Sequence, residues 1–219
     1  MLVEILALHP TARTVMRFPD FFADVRRITL RDPLADFLGA ADDGIIEYAY
    51  EDAVKMAGHS CPTVASAWML SCHALRALYP DGVPERGGVR VTLRGRLDEG
   101  VNGVIASIAT LLTGAAQDGG FKGLGGRFAR RGLLDFGVDQ PLALRFTRID
   151  TGAAVDAQAD LSLVPAAPEM PELLAQCLAV PGDRALARRF GALWQERVRR
   201  ILIEHADDPA VFRIAAATS

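Results

Sequence analysis

Three cysteines in 219 residues are too few, and odd in number, for a disulfide framework, and they point to a reducing compartment. Long apolar runs are missing as well. The most apolar stretch, residues 104–116, is short and carries Ser107, Thr110 and Thr113, whereas a membrane span needs about 20 apolar residues. The opening MLVEILALHP holds Glu4 inside its apolar run with no basic region ahead of it, so it does not read as a secretory leader, and the cytoplasm is the expected location. Net charge is only −3, which gives no global drive towards nucleic acid or an anionic membrane. No Gly-Lys-Ser/Thr follows the glycine-rich stretch, no GxGxxG sits between a strand and a helix, and no GxSxG elbow occurs. Phosphate-loop, dinucleotide-fold and α/β-hydrolase readings therefore lack their signatures.

What is present suits a folded chain. Half of the residues are hydrophobic and 23% are charged, enough for one sizeable core. The N-terminal third reads as mainly helical, with Asp20 capping a turn through FFADVRRI and Asp32-Pro33 opening a second short helix that stops at Gly39. Residues 45–50 form a compact apolar run, open between strand and helix. The clearest helix spans 62–79, with Pro62 in its first turn, Pro80 closing it, and Val64, Trp68, Leu75 and Leu78 as its stripe. Residues 89–97 alternate as a half-exposed strand, and 101–112 form an apolar helix closed by Gly114. Two alternating runs, 142–149 and 153–164, meet at Asp150-Thr151-Gly152 as a hairpin. Helices are expected at 169–179 and about 183–205; the second carries Arg188, Arg189, Arg197, Arg199 and Arg200 on a solvated face without the aromatic interleaving of a nucleic-acid surface. The expected fold is α+β: a small antiparallel sheet flanked by helices, with a helical N-terminal segment (1–45), a core (46–165) and a helical C-terminal extension (166–219) in one compact domain.

Chemistry concentrates in Gly58-His59-Ser60-Cys61-Pro62. Cys61 falls at the N-cap of the long helix, where free backbone N–H groups and the helix dipole favour a thiolate. His59 lies two residues earlier in an extended entry segment. Zinc accepts sulfur and nitrogen together, so the pair is a natural half-site; the plain alternative is a helix cap with a buried thiol. Cys72 lies eleven residues further along the same helix, about 16 Å from Cys61 at 1.5 Å per residue, and cannot share a mononuclear site with it. Cys72 and Cys177 read as core, His73 as a helix-flank residue, His9 as isolated, and His205 as a surface residue compensating a helix C-terminus. Lys122, in the glycine-rich DGGFKGLGG, is a candidate anion contact; a plain connector is an equal reading.

The segment GHSCPTVASAWML, followed by a strand, an apolar helix ending in LLTG, and DGGFKGLGGRF…GLLDFG, resembles the FmdE family, proteins like the component of formylmethanofuran dehydrogenase for which that family is named. The resemblance covers roughly residues 48–164, and the GHxCP element is its most specific part. It implies an α+β core, a homodimer, and a metal-associated cleft at the His–Cys segment, with His59 and Cys61 matching the motif position by position and Lys122 in the Gly/Lys-rich loop. Three departures stand out. Thr63 replaces the family's glycine after Cys-Pro. The second cysteine expected at about 101–104 is absent, leaving Asp98, Glu99 or Asn102 as substitutes. No C-terminal cysteine-rich zinc finger occurs.

The leading expectation is therefore an FmdE-like metal-binding protein, with zinc as the expected ion, a small-molecule or redox-linked role, and no nucleic-acid or membrane partner. Remaining ligands would come from Asp98, Glu99, Asn102, solvent or the dimer mate. Whether it is an enzyme stays open. A second reading is a thiol-dependent enzyme with Cys61 as nucleophile and His59 as its base. A third is a non-catalytic accessory component of an oxidoreductase, using the glycine-rich loop and the arginine-rich helix.

Overall fold

The computed structural model describes residues 17–217, so His9 and the opening run lie outside the described residues. A 3-10 turn at Asp20–Asp24 leads into β1 (Ile28–Arg31), which pairs antiparallel with β2 (Ile45–Tyr48) in a two-stranded sheet. Helical continuation through Ile28 is thus replaced by a strand. Its residues alternate, with Ile28 and Leu30 buried and Thr29 exposed, which is the period of a half-buried strand. Between the two strands Asp32 caps the five-residue α1 (Pro33–Phe37), its carboxylate accepting the N–H groups of Leu34 and Ala35 at 3.0 and 3.3 Å.

After α2 (Tyr50–Ala57), Gly58 takes a left-handed conformation at φ +76° that reverses the chain into α3 (Pro62–Leu78). α3 is the spine of the core. It is apolar nearly all round: Val64, Trp68, Met69, Leu75 and Leu78 are buried, and Tyr50 and Trp68 meet edge to face at 6.1 Å. α4 (Asn102–Thr113) packs beside it and ends at left-handed Gly114.

The main sheet has the order β4–β3–β5–β6–β7, built from β3 (Val89–Leu93), β4 (Leu134–Phe136), β5 (Leu144–Arg148), β6 (Ala154–Ala159) and β7 (Phe212–Ala216). β5 and β6 form the expected hairpin, with Phe146 opposite Val155. The fold is α+β, and the sheet is antiparallel except at one edge, where β4 runs parallel to β3. α5 (Met170–Ala179) and α6 (Arg184–Arg199) follow, and a π turn at Arg200–Glu204 extends α6. The chain then returns as β7 alongside β6, so the C-terminal part supplies a strand to the sheet as well as helices. No helix among the described residues is long and apolar enough to cross a membrane.

Candidate functional site

The turn that carries His59 and Cys61 is pinned from three sides. Cys61 is the N-cap of α3, and its Sγ accepts the Val64 N–H at 3.4 Å. The residue is only 9% exposed. Ser60 hydrogen-bonds Tyr50 Oη at 3.0 Å through its side chain, and burial pushes the Tyr50 phenol well above its ordinary range. The Ser60 carbonyl accepts from Trp194 Nε1 at 3.0 Å and Gln195 Nε2 at 3.1 Å, so α6 clamps the turn from 134 residues away. Gln195 Oε1 is buried and has no partner among the described residues.

His59 is exposed, and its Nδ1 lies 3.0 Å from the Ala57 carbonyl. A carbonyl only accepts, so Nδ1 carries the proton and, in the neutral ring, Nε2 presents its lone pair outward. A backbone carbonyl fixing one ring nitrogen is the arrangement that orients metal-ligating histidines. The turn thus offers one nitrogen and one sulfur donor, a chemistry zinc accepts.

The other candidate ligands are engaged at the start of α4. Glu99 accepts the Arg96 N–H at 3.2 Å, Asp98 pairs with Arg96 Nε at 3.2 Å, and Asn102 Nδ2 donates to the Arg96 carbonyl at 2.9 Å. These three residues build the turn that launches the helix. Among the described residues no three His, Cys, Asp or Glu side chains are grouped to hold a metal ion, so Asp98 and Glu99 do not join His59 and Cys61 in such a group. His59 and Cys61 are therefore the two candidate donors that the turn itself carries.

A cleft lies between α2, α4 and β4, and neither His59 nor Cys61 is among the residues lining it. A cavity of roughly 350 Å³ is lined by Met56 from the end of α2, Leu97 from the turn before α4, Gly103, Ser107 and Thr110 along α4, Gln117 just before the glycine-rich loop, and Leu134 and Phe136 of β4. Its walls are mostly apolar. The glycine-rich loop is firmly shaped: a Cβ on Gly120 would lie 2.9 Å from the Arg131 backbone, and one on Gly123, at φ +92°, would lie 2.3 Å from the Arg127 carbonyl. Lys122 is exposed and is not among the residues lining the cleft.

The remaining sequence candidates fall elsewhere. Cys72 is core, 1% exposed, with its thiol pushed up to about 12 by burial. His73 is half-buried, its Nε2 donating to the Ala206 carbonyl at 2.7 Å, and burial lowers its pKa. Cys177 is not core as expected: it is half-buried on α5, where Leu173 faces inward while Leu174 and Leu178 are exposed. His205 is held by Asp208 at 3.0 Å. The arginine row of α6 is only partly solvated. Arg197 donates to the carbonyls of Val164 and Leu161 at 2.7 and 3.1 Å, and Arg200 donates to that of Pro165, so these two tie the segment after β6 to α6. No local pattern in the sequence marks the clamp by Trp194 and Gln195. No family model matches the sequence, and no curated protein matches it either.

Proposed function

We propose that this chain is an FmdE-like ligand-binding protein in which the cleft between α2, α4 and β4 takes a small molecule with an apolar body. In the same reading His59 and Cys61 supply a nitrogen and a sulfur donor to a transition metal ion, zinc by the resemblance. The observation that carries the proposal is the convergence of three separate segments on one apolar cleft: the end of the helix before GHSCP, the turn at 97–103 and the approach to the glycine-rich loop. A mostly apolar cavity of this size with a few polar groups suits a small organic ligand. An ion with open positions supplies Lewis-acid chemistry to a bound group. The chain's own contribution is positional. Ala57 sets the His59 tautomer, the Val64 N–H fixes the Cys61 sulfur, and Trp194 with Gln195 hold the intervening carbonyl.

The resemblance also implies a homodimer, and the exposed Leu174, Leu178 and Val180, with Leu178 at 72% exposure, are an apolar surface that supports it. Three free cysteines suit a reducing cytoplasm. The test of the cleft is native mass spectrometry of gently purified protein beside Ser107→Phe, which fills the cavity from the exposed face of α4. A small-molecule adduct on the parent and none on the variant is the expected result; adducts on both, or on neither, contradict the reading.

A further inference from the structure

A second cavity, of roughly 310 Å³, lies apart from the cleft and is lined by Arg86, Arg127 and Arg130 together with Glu85, Pro33 and Phe128. At its base the Asp32 carboxylate is shared by two guanidinium groups: Oδ2 accepts from Arg86 Nε at 2.9 Å and Oδ1 from Arg130 Nη2 at 2.6 Å. Oδ1 also caps α1, so this carboxylate is committed to the partners it already holds. Glu85 is occupied by Arg31 at 3.1 Å. The buried base therefore holds two cations against one committed anion.

Arg130 is the telling residue. Its side chain is only 9% exposed, and its Nη1 is buried without an acceptor among the described residues. Space for it exists because residue 87 is glycine: a Cβ there would lie 1.7 Å from Nη1. Burial pulls the Arg130 pKa down even though the Asp32 carboxylate pulls it the other way. The Arg127 side chain makes no hydrogen bond or ion pair among the described residues, and its guanidinium rests 4.7 Å above the Phe128 ring. Phe128 sits at φ +63°, a left-handed conformation that costs free energy in an aromatic residue and that clusters at ligand sites. Its ring lies 5.2 Å from that of Phe37, which is 61% exposed.

We propose that this cavity binds a small organic anion, a phosphate or carboxylate carried on a flat apolar body, with Arg86, Arg127 and Arg130 holding the anion and the Phe128–Phe37 pair meeting the body. Guanidinium forks match both oxyanions in charge and geometry, and an apolar aromatic rim adds affinity for a flat group. The site shares no lining residue with the cleft between α2, α4 and β4.

Isothermal titration with phenyl phosphate, benzoate and inorganic phosphate, at constant ionic strength set by chloride, tests it. Saturable binding of phenyl phosphate or benzoate is expected, and the tighter of the two identifies the oxyanion. Arg127→Glu is expected to weaken that binding at least tenfold while changing the melting temperature in chloride little, because the Arg127 side chain is exposed and makes no ion pair among the described residues. Arg130→Lys, which keeps a cation beside Asp32, is expected to weaken binding as well. Heats no larger than the chloride background for all three probes, or an affinity unaffected by Arg127→Glu, overturn the proposal. Inorganic phosphate binding as tightly as phenyl phosphate overturns the role of the aromatic rim.

Discussion

Replacing Asp32 with asparagine isolates one charge from everything else that residue does. Asparagine is an equally good N-cap, so α1 keeps its first-turn hydrogen bonds. What is lost is the anion between Arg86 and Arg130, whose side chains are 16% and 9% exposed against 11% for Asp32. Removing one partner of a buried pair leaves uncompensated charge and costs about 3–5 kcal/mol; a little residual exposure argues for the lower end. In a domain of this size each kcal/mol moves the melting temperature by about 2–4 °C, so a cost of about 3 kcal/mol corresponds to a drop of roughly 6–12 °C. Calorimetry or circular dichroism against temperature reads it, with Asp135→Asn as a control because the Arg90–Asp135 pair is about half exposed on both sides. The control is expected to move by no more than about 4 °C. If Asp32→Asn behaves like the control, the buried ion cluster is not what ties β1 to the segments at 86 and 130, and the charge argument behind it fails.

Other outcomes follow from single contacts. Cys61→Ser keeps an N-cap oxygen and is expected to retain parental stability, whereas Cys61→Ala loses the cap and about 1 kcal/mol in urea denaturation. Stability should fall on acidification: His73 has a depressed folded pKa, so the unfolded chain binds more protons as pH drops below about 6.5, its ordinary value, and His73→Gln should flatten the melting-temperature profile there. A second loss follows near and below pH 3.8. Burial opposes ionisation of Asp32, but Arg86 and Arg130 hold its pKa below that ordinary value, so protonation removes its contribution. Leu178→Glu is expected to shift a dimer towards monomer in analytical ultracentrifugation, and an unchanged sedimentation profile counts against the α5 face as an interface.

How much could be read from the residues alone depended on where the controlling contacts lie. α3 was legible because Pro62 and Pro80 bracket a helical stripe, and the β5–β6 hairpin because Asp150-Thr151-Gly152 separates two alternating runs. β1, β4 and β7 were not. Each is five residues or fewer, and β7 follows a long helix and finds its place only by pairing with β6. At the site, the N-cap position of Cys61 followed from local spacing, while the clamp of Trp194 and Gln195 on Ser60 spans 134 and 135 residues and leaves no local pattern. Asp32 shows the same division. Its cap was visible beside Pro33, but its arginine partners lie 54 and 98 residues away. The carboxylates at 98 and 99 carried the opposite lesson: the resemblance set them near an expected ligand position, and the structure uses them to close a turn on Arg96.

The central claim, that His59 and Cys61 form a metal-binding pair beside a ligand cleft, is tested most directly by elemental analysis. Tag-free protein would be measured beside Cys61→Ser and His59→Ala, with melting temperatures taken on the same samples. Near-stoichiometric zinc or another transition metal is expected in the parent, with its loss from both variants and an unchanged melting temperature for Cys61→Ser when both it and the parent are stripped of metal. Equal metal in parent and variants, or none in the parent, contradicts the claim.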